Sequence, residues 1–147
     1  SKKWKFFQCR DDNFEFLDNE LPGDFNLIYL DSFHNADHIE KILYHYYSKL
    51  KVGGYFIIDD ISWLPYVLDN YRNSFHCEIN NRESFFKLLK ISRSNSKNFD
   101  LYFSFVGAGL AKIIKINSNQ LQPSKIVISR NLSLKNIARK LVKYFIK

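Results

Sequence analysis

The 147-residue chain contains no methionine and only two cysteines, Cys9 and Cys77. With Ser1 in first place, the missing methionine leads us to expect a piece of a longer chain or a trimmed one. The cysteines share no motif, so no disulfide framework is expected, and the pattern fits a reducing, cytoplasmic setting. No apolar run reaches the roughly 18 residues that a membrane span needs. The CxxC, HExxH, GxSxG and P-loop patterns are absent, and with them the readings they would support. Internal repeats and low-complexity tracts are absent too. What remains is a globular composition, 46% hydrophobic and 17% aromatic, in a chain long enough for one domain or part of one. Twenty-two basic against fifteen acidic residues give +7. That favours anionic partners in general, without separating nucleic acid, a phosphorylated metabolite and a membrane surface.

Residues 24–63 carry the most information. Two apolar runs, 27–30 and 55–58, each end in acid: Asp31 after the first, Asp59 and Asp60 after the second. Between them Ile39, Ile42, Leu43, Tyr46 and Leu50 recur at helical spacing, which predicts a helix over 35–50 with Gly53-Gly54 ending it. The pattern is a β-α-β unit whose continuous apolar strands read as buried on both faces. Around it, 4–9 (WKFFQC) reads as a strand. Residues 11–19 read as a turn and short helix with Phe14, Phe16 and Leu17 inward. A helix is expected over 81–91, and strands at 99–105 and 110–116, joined by Gly107-Ala108-Gly109 as a hairpin. The stretch 62–75, interrupted by Pro65, is ambiguous. Residues 1–117 are expected to form the α/β domain. Residues 118–147 are expected to be a linker and a C-terminal helix over 134–146. That helix has an apolar stripe (Leu134, Ile137, Leu141, Phe145) and a basic one (Lys135, Arg139, Lys143, Lys147). Docking of the apolar stripe on the sheet is the favoured reading; a membrane-surface helix and a nucleic-acid contact stay open.

Ligands of open α/β sheets bind at the carboxyl ends of the strands. Adjacent strands lie about 5 Å apart, so Asp31, Asp59 and Asp60 can reach a common hard cation. Mg²⁺ is the natural candidate for a few carboxylates plus water and substrate oxygens, and it would acidify a bound hydroxyl. The alternative is that each Asp simply caps the loop that follows its strand. His34 follows Asp31 and is placed over the same edge as a base or substrate contact. His38, at i+4 from it, is expected to support structure. His45 and His76 read as surface or packing residues. Arg10-Asp11-Asp12 is either a solvated turn or a loop near a bound nucleotide.

At 24–63 the chain resembles the class I S-adenosylmethionine-dependent methyltransferases. FNLIYLD and LKVGGYFIIDD are similar to their fourth and fifth strands with the crossover and Gly-Gly turn. KVGGYFIIDDISW resembles the metal-dependent O-methyltransferases, and DSFHNADHI resembles the cephalosporin hydroxylase family. The resemblance implies the second half of a Rossmann-like α/β methyltransferase sheet, parallel strands ending in an antiparallel hairpin. It also implies S-adenosylmethionine as cofactor and methyl transfer to the oxygen of a small hydroxyl substrate. Carried over by position, Asp31, Asp59 and Asp60 would be Mg²⁺ ligands. Asp12 would lie near the adenine, with Asp31 as a second cofactor contact, and His34 would be the catalytic candidate. Where the sugar-modifying members place an Asp base, this chain has Phe33, so that role does not transfer. The glycine-rich cofactor loop of the family matches nothing here. A metal-independent methyltransferase and a non-catalytic binding module of the same fold are the competing expectations.

Overall fold

The computed structural model describes residues 4–21, 23–62, 75–124 and 133–145. The element order is α1 (Phe14–Glu20), β1 (Phe25–Leu30), α2 (Ala36–Tyr47), β2 (Leu50–Asp59), α3 (Phe75–Ser94), β3 (Phe99–Ser104), β4 (Leu110–Lys115) and α4 (Leu134–Phe145). One four-stranded sheet runs in the order β1-β2-β4-β3. β1 and β2 are parallel, and β4 is antiparallel to both of its neighbours, β2 and β3. The expected β-α-β unit and the closing hairpin are both there.

α2 begins where the Asn35 side chain accepts from the backbone amides of Asp37 and His38, two donors that the first turn leaves without a helical partner. Its face of Ile39, Ile42, Leu43, Tyr46 and Tyr47 is buried. Each such aliphatic side chain contributes about 1.5–3 kcal/mol of transfer free energy. Leu50, Phe56, Ile58, Ala111 and Ile113 meet it from the sheet, and Leu88 and Ile91 of α3 complete the core.

The helix ends at Tyr47, six residues before the predicted glycine stop. Gly53-Gly54 lie inside β2 instead. The register against β1 jumps there, from Phe25 opposite Leu50 to Leu27 opposite Tyr55. Gly53 has φ +79°, and a Cβ on Gly54 would sit 2.9 Å from the Lys51 carbonyl oxygen. The glycines therefore serve a strand irregularity rather than a helix end. What stops α2 is the Ser48-Lys49 turn, with the Lys49 amide bonded back to the Tyr46 carbonyl.

Three other expectations change. Residues 4–9 form no strand, and Trp4 and Phe6 are exposed. A strand needs a ladder, and the described sheet pairs only β1, β2, β4 and β3 with one another. Phe16 is exposed rather than inward, meeting Phe7 edge-on, because α1 turns only Leu17 fully into the core. The strands are also not buried on both faces. Ile28, Leu30, Phe56, Ile58, Ala111 and Ile113 point to the helices. Leu27, Tyr29 and Tyr55 alternate with them and are exposed, since no described helix covers that second face. The ambiguous stretch 62–75 lies outside the described residues except for its two ends, as does the side chain of His76.

α4 forms where helical spacing predicted it, but its stripe does not dock on the sheet: Leu134, Ile137, Leu141, Val142 and Phe145 are all exposed. The 18-residue stretch 116–133 separates it from β4, so adjacency in sequence does not bring it to the sheet. No helix among the described residues is long and apolar enough to cross a membrane.

Candidate active site at the carboxyl edge of the sheet

β1 and β2 run side by side and end at the same edge, which brings Asp31, Asp59, Asp60 and the loop to α2 together. The pleat puts Tyr29 and Asp59 on the same face, and the Tyr29 hydroxyl donates to Asp59 Oδ2 at 2.8 Å. That bond is the main cause holding the Tyr29 hydroxyl above its ordinary pKa; partial burial and the charges of Asp59, Asp31 and Asp60 add to it. The other Asp59 oxygen, Oδ1, accepts the Asp60 amide at 2.8 Å.

Asp60 leaves the strand in the left-handed region, with φ +55°, which Asp adopts more readily than most residues. Its Oδ2 lies 3.3 Å from His34 Nε2. Asp31 Oδ1 lies 3.7 Å from the same nitrogen. His34, half-exposed, thus shares one ring nitrogen with two carboxylates from the ends of neighbouring strands. A carboxylate beside an imidazole nitrogen can accept its N–H and so fix the tautomer and the orientation of the ring.

A magnesium ion would need Asp31, Asp59 and Asp60 gathered on one point. Among the described residues no group of three His, Cys, Asp or Glu side chains is so gathered. Asp59 is engaged by Tyr29 and by the Asp60 amide, while Asp31 and Asp60 share His34. As arranged here, the three do not make a ligand set.

The preceding loop splits its two acids. Asp12 is held by Arg10 at 3.0 Å and Lys41 at 3.2 Å. The Lys41 contact leads in lowering its pKa, against partial burial, with Arg10 assisting. Asp11, read in the sequence only as part of the Arg10-Asp11-Asp12 turn, faces the edge. Its Oδ2 accepts the Ser32 hydroxyl at 2.7 Å and stands 3.0 Å from His38 Nε2. Its carbonyl accepts the Tyr46 hydroxyl. Cys9, Arg10, Asp11, Ser32 and Phe33 line an open cavity of about 530 Å³ beside the end of β1. His38 is buried, with Asp11 as its partner. His45 stacks on Phe14 and pairs with Asp18 at 2.8 Å. Nothing in the spacing distinguishes Asp11 from Asp12; the i, i+4 pair His34/His38 is the one sequence signal that could have led to it.

The backside of the edge is fixed by the hairpin. The Ser62 amide donates to the Ala108 carbonyl at 2.8 Å. Gly109 approaches so closely that a Cβ there would lie 2.5 Å from the Ser62 nitrogen.

No family model matches the sequence, and no curated protein does. Solved structures do. The MycE methyltransferase of the mycinamycin biosynthetic pathway, in complex with Mg and SAH, is 19% identical with a TM-score of 0.51; the match covers 82% of this chain and 34% of that one. A Staphylococcus aureus protein provisionally described as a caffeoyl-CoA O-methyltransferase is 19% identical with a TM-score of 0.50, over 71% of this chain and 47% of that one. The chain thus spans about a third to a half of the structures it matches. At this identity the likeness is one of fold: the chain shares the α/β sheet of these structures, with its antiparallel strand β4 next to the end of the order.

Proposed function

We propose that this chain belongs to an S-adenosylmethionine-dependent methyltransferase that methylates a substrate oxygen, with His34 as general base. One observation carries the reading: His34 Nε2 stands 3.3 Å from Asp60 and 3.7 Å from Asp31 at the carboxyl edge of the sheet, where open α/β sheets bind ligands. Nε2 keeps its proton toward the carboxylates, and Nδ1 takes the proton of the substrate hydroxyl. Asp60 and Asp31 then hold the imidazolium formed.

The cavity beside β1 suits the adenosine part of the cofactor. Phe33 offers an exposed ring face for stacking, and Asp11 and Arg10 offer an acceptor and donors at its rim. Asp31, at the end of β1, precedes Ser32 of the cavity wall and lies 3.7 Å from His34. Asp12, neutralised by Arg10 and Lys41, shapes the loop. When bound, S-adenosylmethionine supplies an electrophilic methyl group on a sulfonium that leaves as a neutral thioether. The chain's part is orientation and proton removal, and orientation alone lowers such barriers by several kcal/mol, about 7–11 in favourable intramolecular cases. Magnesium assistance, implied by the resemblance, finds no assembled ligand set here, and no step is assigned to it.

The test uses the protein that carries this chain. Calorimetric titration with S-adenosylhomocysteine is expected to show binding. His34→Gln is expected to keep that binding and to lower methyl transfer to hydroxylated acceptors by about 10²–10⁴-fold, the usual range for a lost general base. Absent binding of S-adenosylhomocysteine sinks the enzyme reading in favour of a binding module. Full activity of His34→Gln sinks the base assignment alone.

A further inference from the structure

We propose that α4 is a docking helix for an anionic lipid surface, lying in the plane of the membrane interface. The inference does not rest on the methyl-transfer reading. No aspartate or glutamate follows Asp100, and residues 124–147 carry seven Lys and Arg. Residues 1–123 balance fifteen basic against fifteen acidic side chains, so the whole +7 of the chain resides in this tail.

Within α4 the two chemistries are sorted by face. Leu134, Ile137, Ala138, Leu141 and Phe145 recur at helical spacing along one side, and Lys135 and Arg139 lie on the other. The sequence adds Lys140 and Lys143 to the helix, which holds no acid. The contrast with α2 is the decisive observation. Both helices are amphipathic, yet Ile42 and Leu43 of α2 are 1% and 0% exposed, whereas Leu134 of α4 is 86% and Leu141 55% exposed.

Three surfaces could cover such a helix. The open face of the sheet would use the stripe and leave the charge concentration without a role. A nucleic acid would use the cations and leave the stripe in water. An anionic bilayer takes both faces at once: the stripe enters the headgroup boundary and the cations meet lipid phosphates. Twelve residues make a helix about 18 Å long, too short to span the roughly 30 Å hydrocarbon core, which fits a helix lying flat.

The experiment is co-sedimentation of the protein that carries this chain with vesicles of pure phosphatidylcholine and of phosphatidylcholine with about one third phosphatidylglycerol. Association is expected with the anionic vesicles alone. It is expected to fall away when the salt is raised about tenfold, which shortens the screening length about threefold. Leu141→Glu is expected to abolish association. Lys135→Glu with Arg139→Glu is expected to weaken it by at least about 25-fold, roughly fivefold per cation. These side chains are exposed, so both variants are expected to keep the thermal midpoint of the parent. No association with anionic vesicles overturns the proposal, as does undiminished association of either variant. A lowered midpoint for Leu141→Glu overturns it in favour of packing within the protein. Binding of a double-stranded DNA oligonucleotide in place of vesicles overturns it in favour of nucleic acid.

Discussion

The Lys115 ammonium donates to the Tyr47 carbonyl at 2.9 Å, tying the last strand of the sheet to the last turn of α2. The same nitrogen donates to the Leu50 carbonyl at 2.6 Å and lies 4.8 Å from the centre of the Tyr47 ring. Lys115 is buried, and loss of water pushes its pKa down. Carbonyls at a helix end need partners, and a cation suits that end of the dipole. Lys115→Met is therefore expected to lower the stability by about 2–3 kcal/mol in urea unfolding, because it leaves buried acceptors without a donor. An unchanged midpoint would show that water replaces the ammonium.

Burial pushes the hydroxyls of Tyr46 and Tyr47 from 10 up to about 12, with the charges of Asp18 and Asp11 adding at Tyr46. The folded state thus holds these protons to higher pH than the unfolded state does. Their contribution is complete below pH 10 and is lost as the pH rises from 10 to about 12. Urea midpoints are expected to decline across that window. Tyr47→Phe, which removes the donor to the Asn98 carbonyl at 2.6 Å, is expected to cost about 1 kcal/mol at neutral pH and to make the alkaline decline shallower.

Gly109 has φ +85° and touches the Ser62 backbone. Gly109→Ala is expected to cost about 1–3 kcal/mol, from left-handed strain and from displacement of Ser62. Ile61 and Ser62 directly follow Asp60, so the same substitution is expected to weaken methyl transfer beyond what its stability loss explains. Single-turnover rates measured well below the melting range check this.

Asp59 and Asp60 separate two mechanisms. If His34 is the base, Asp60→Asn is expected to slow transfer by about 10–100-fold, a modest part of a base's usual contribution, and Asp59→Asn much less. Chelation is expected to leave the rate unchanged. Equal losses in the two variants, with activity lost to a chelator and restored by magnesium, would instead support a ligand set that assembles on the ion.

Much of this arrangement was legible in the sequence, for identifiable reasons. α2 declares itself by the spacing of Ile39, Ile42, Leu43 and Tyr46. β1 and β2 declare themselves by apolar runs ending in acid, and His34 by its place three residues beyond Asp31. The division of the acids was not legible. It depends on the left-handed backbone of Asp60, which no composition encodes. It also depends on the pairing of Tyr29 with Asp59, which the two-residue pleat would have suggested once the register was known. The strand expected at 4–9 fails for a related reason: apolar residues make a strand only where another strand lies alongside. The glycines at 53 and 54 misled because the same residue type ends helices and relieves strand irregularities.

The strand order has a consequence for how the chain acquires its structure. β4, the last strand in sequence, lies between β2 and β3 and pairs with both. During synthesis the parallel pair and β3 cannot join into one sheet until Leu110–Lys115 have left the ribosome. Until then both present unpaired edges, and the end of α2 waits for Lys115. Such edges are where chains pair with the wrong partner. The interval between the emergence of Asp59 and of Lys115 is thus a period in which these edges are open to misassembly, and slowing translation within it lengthens that exposure.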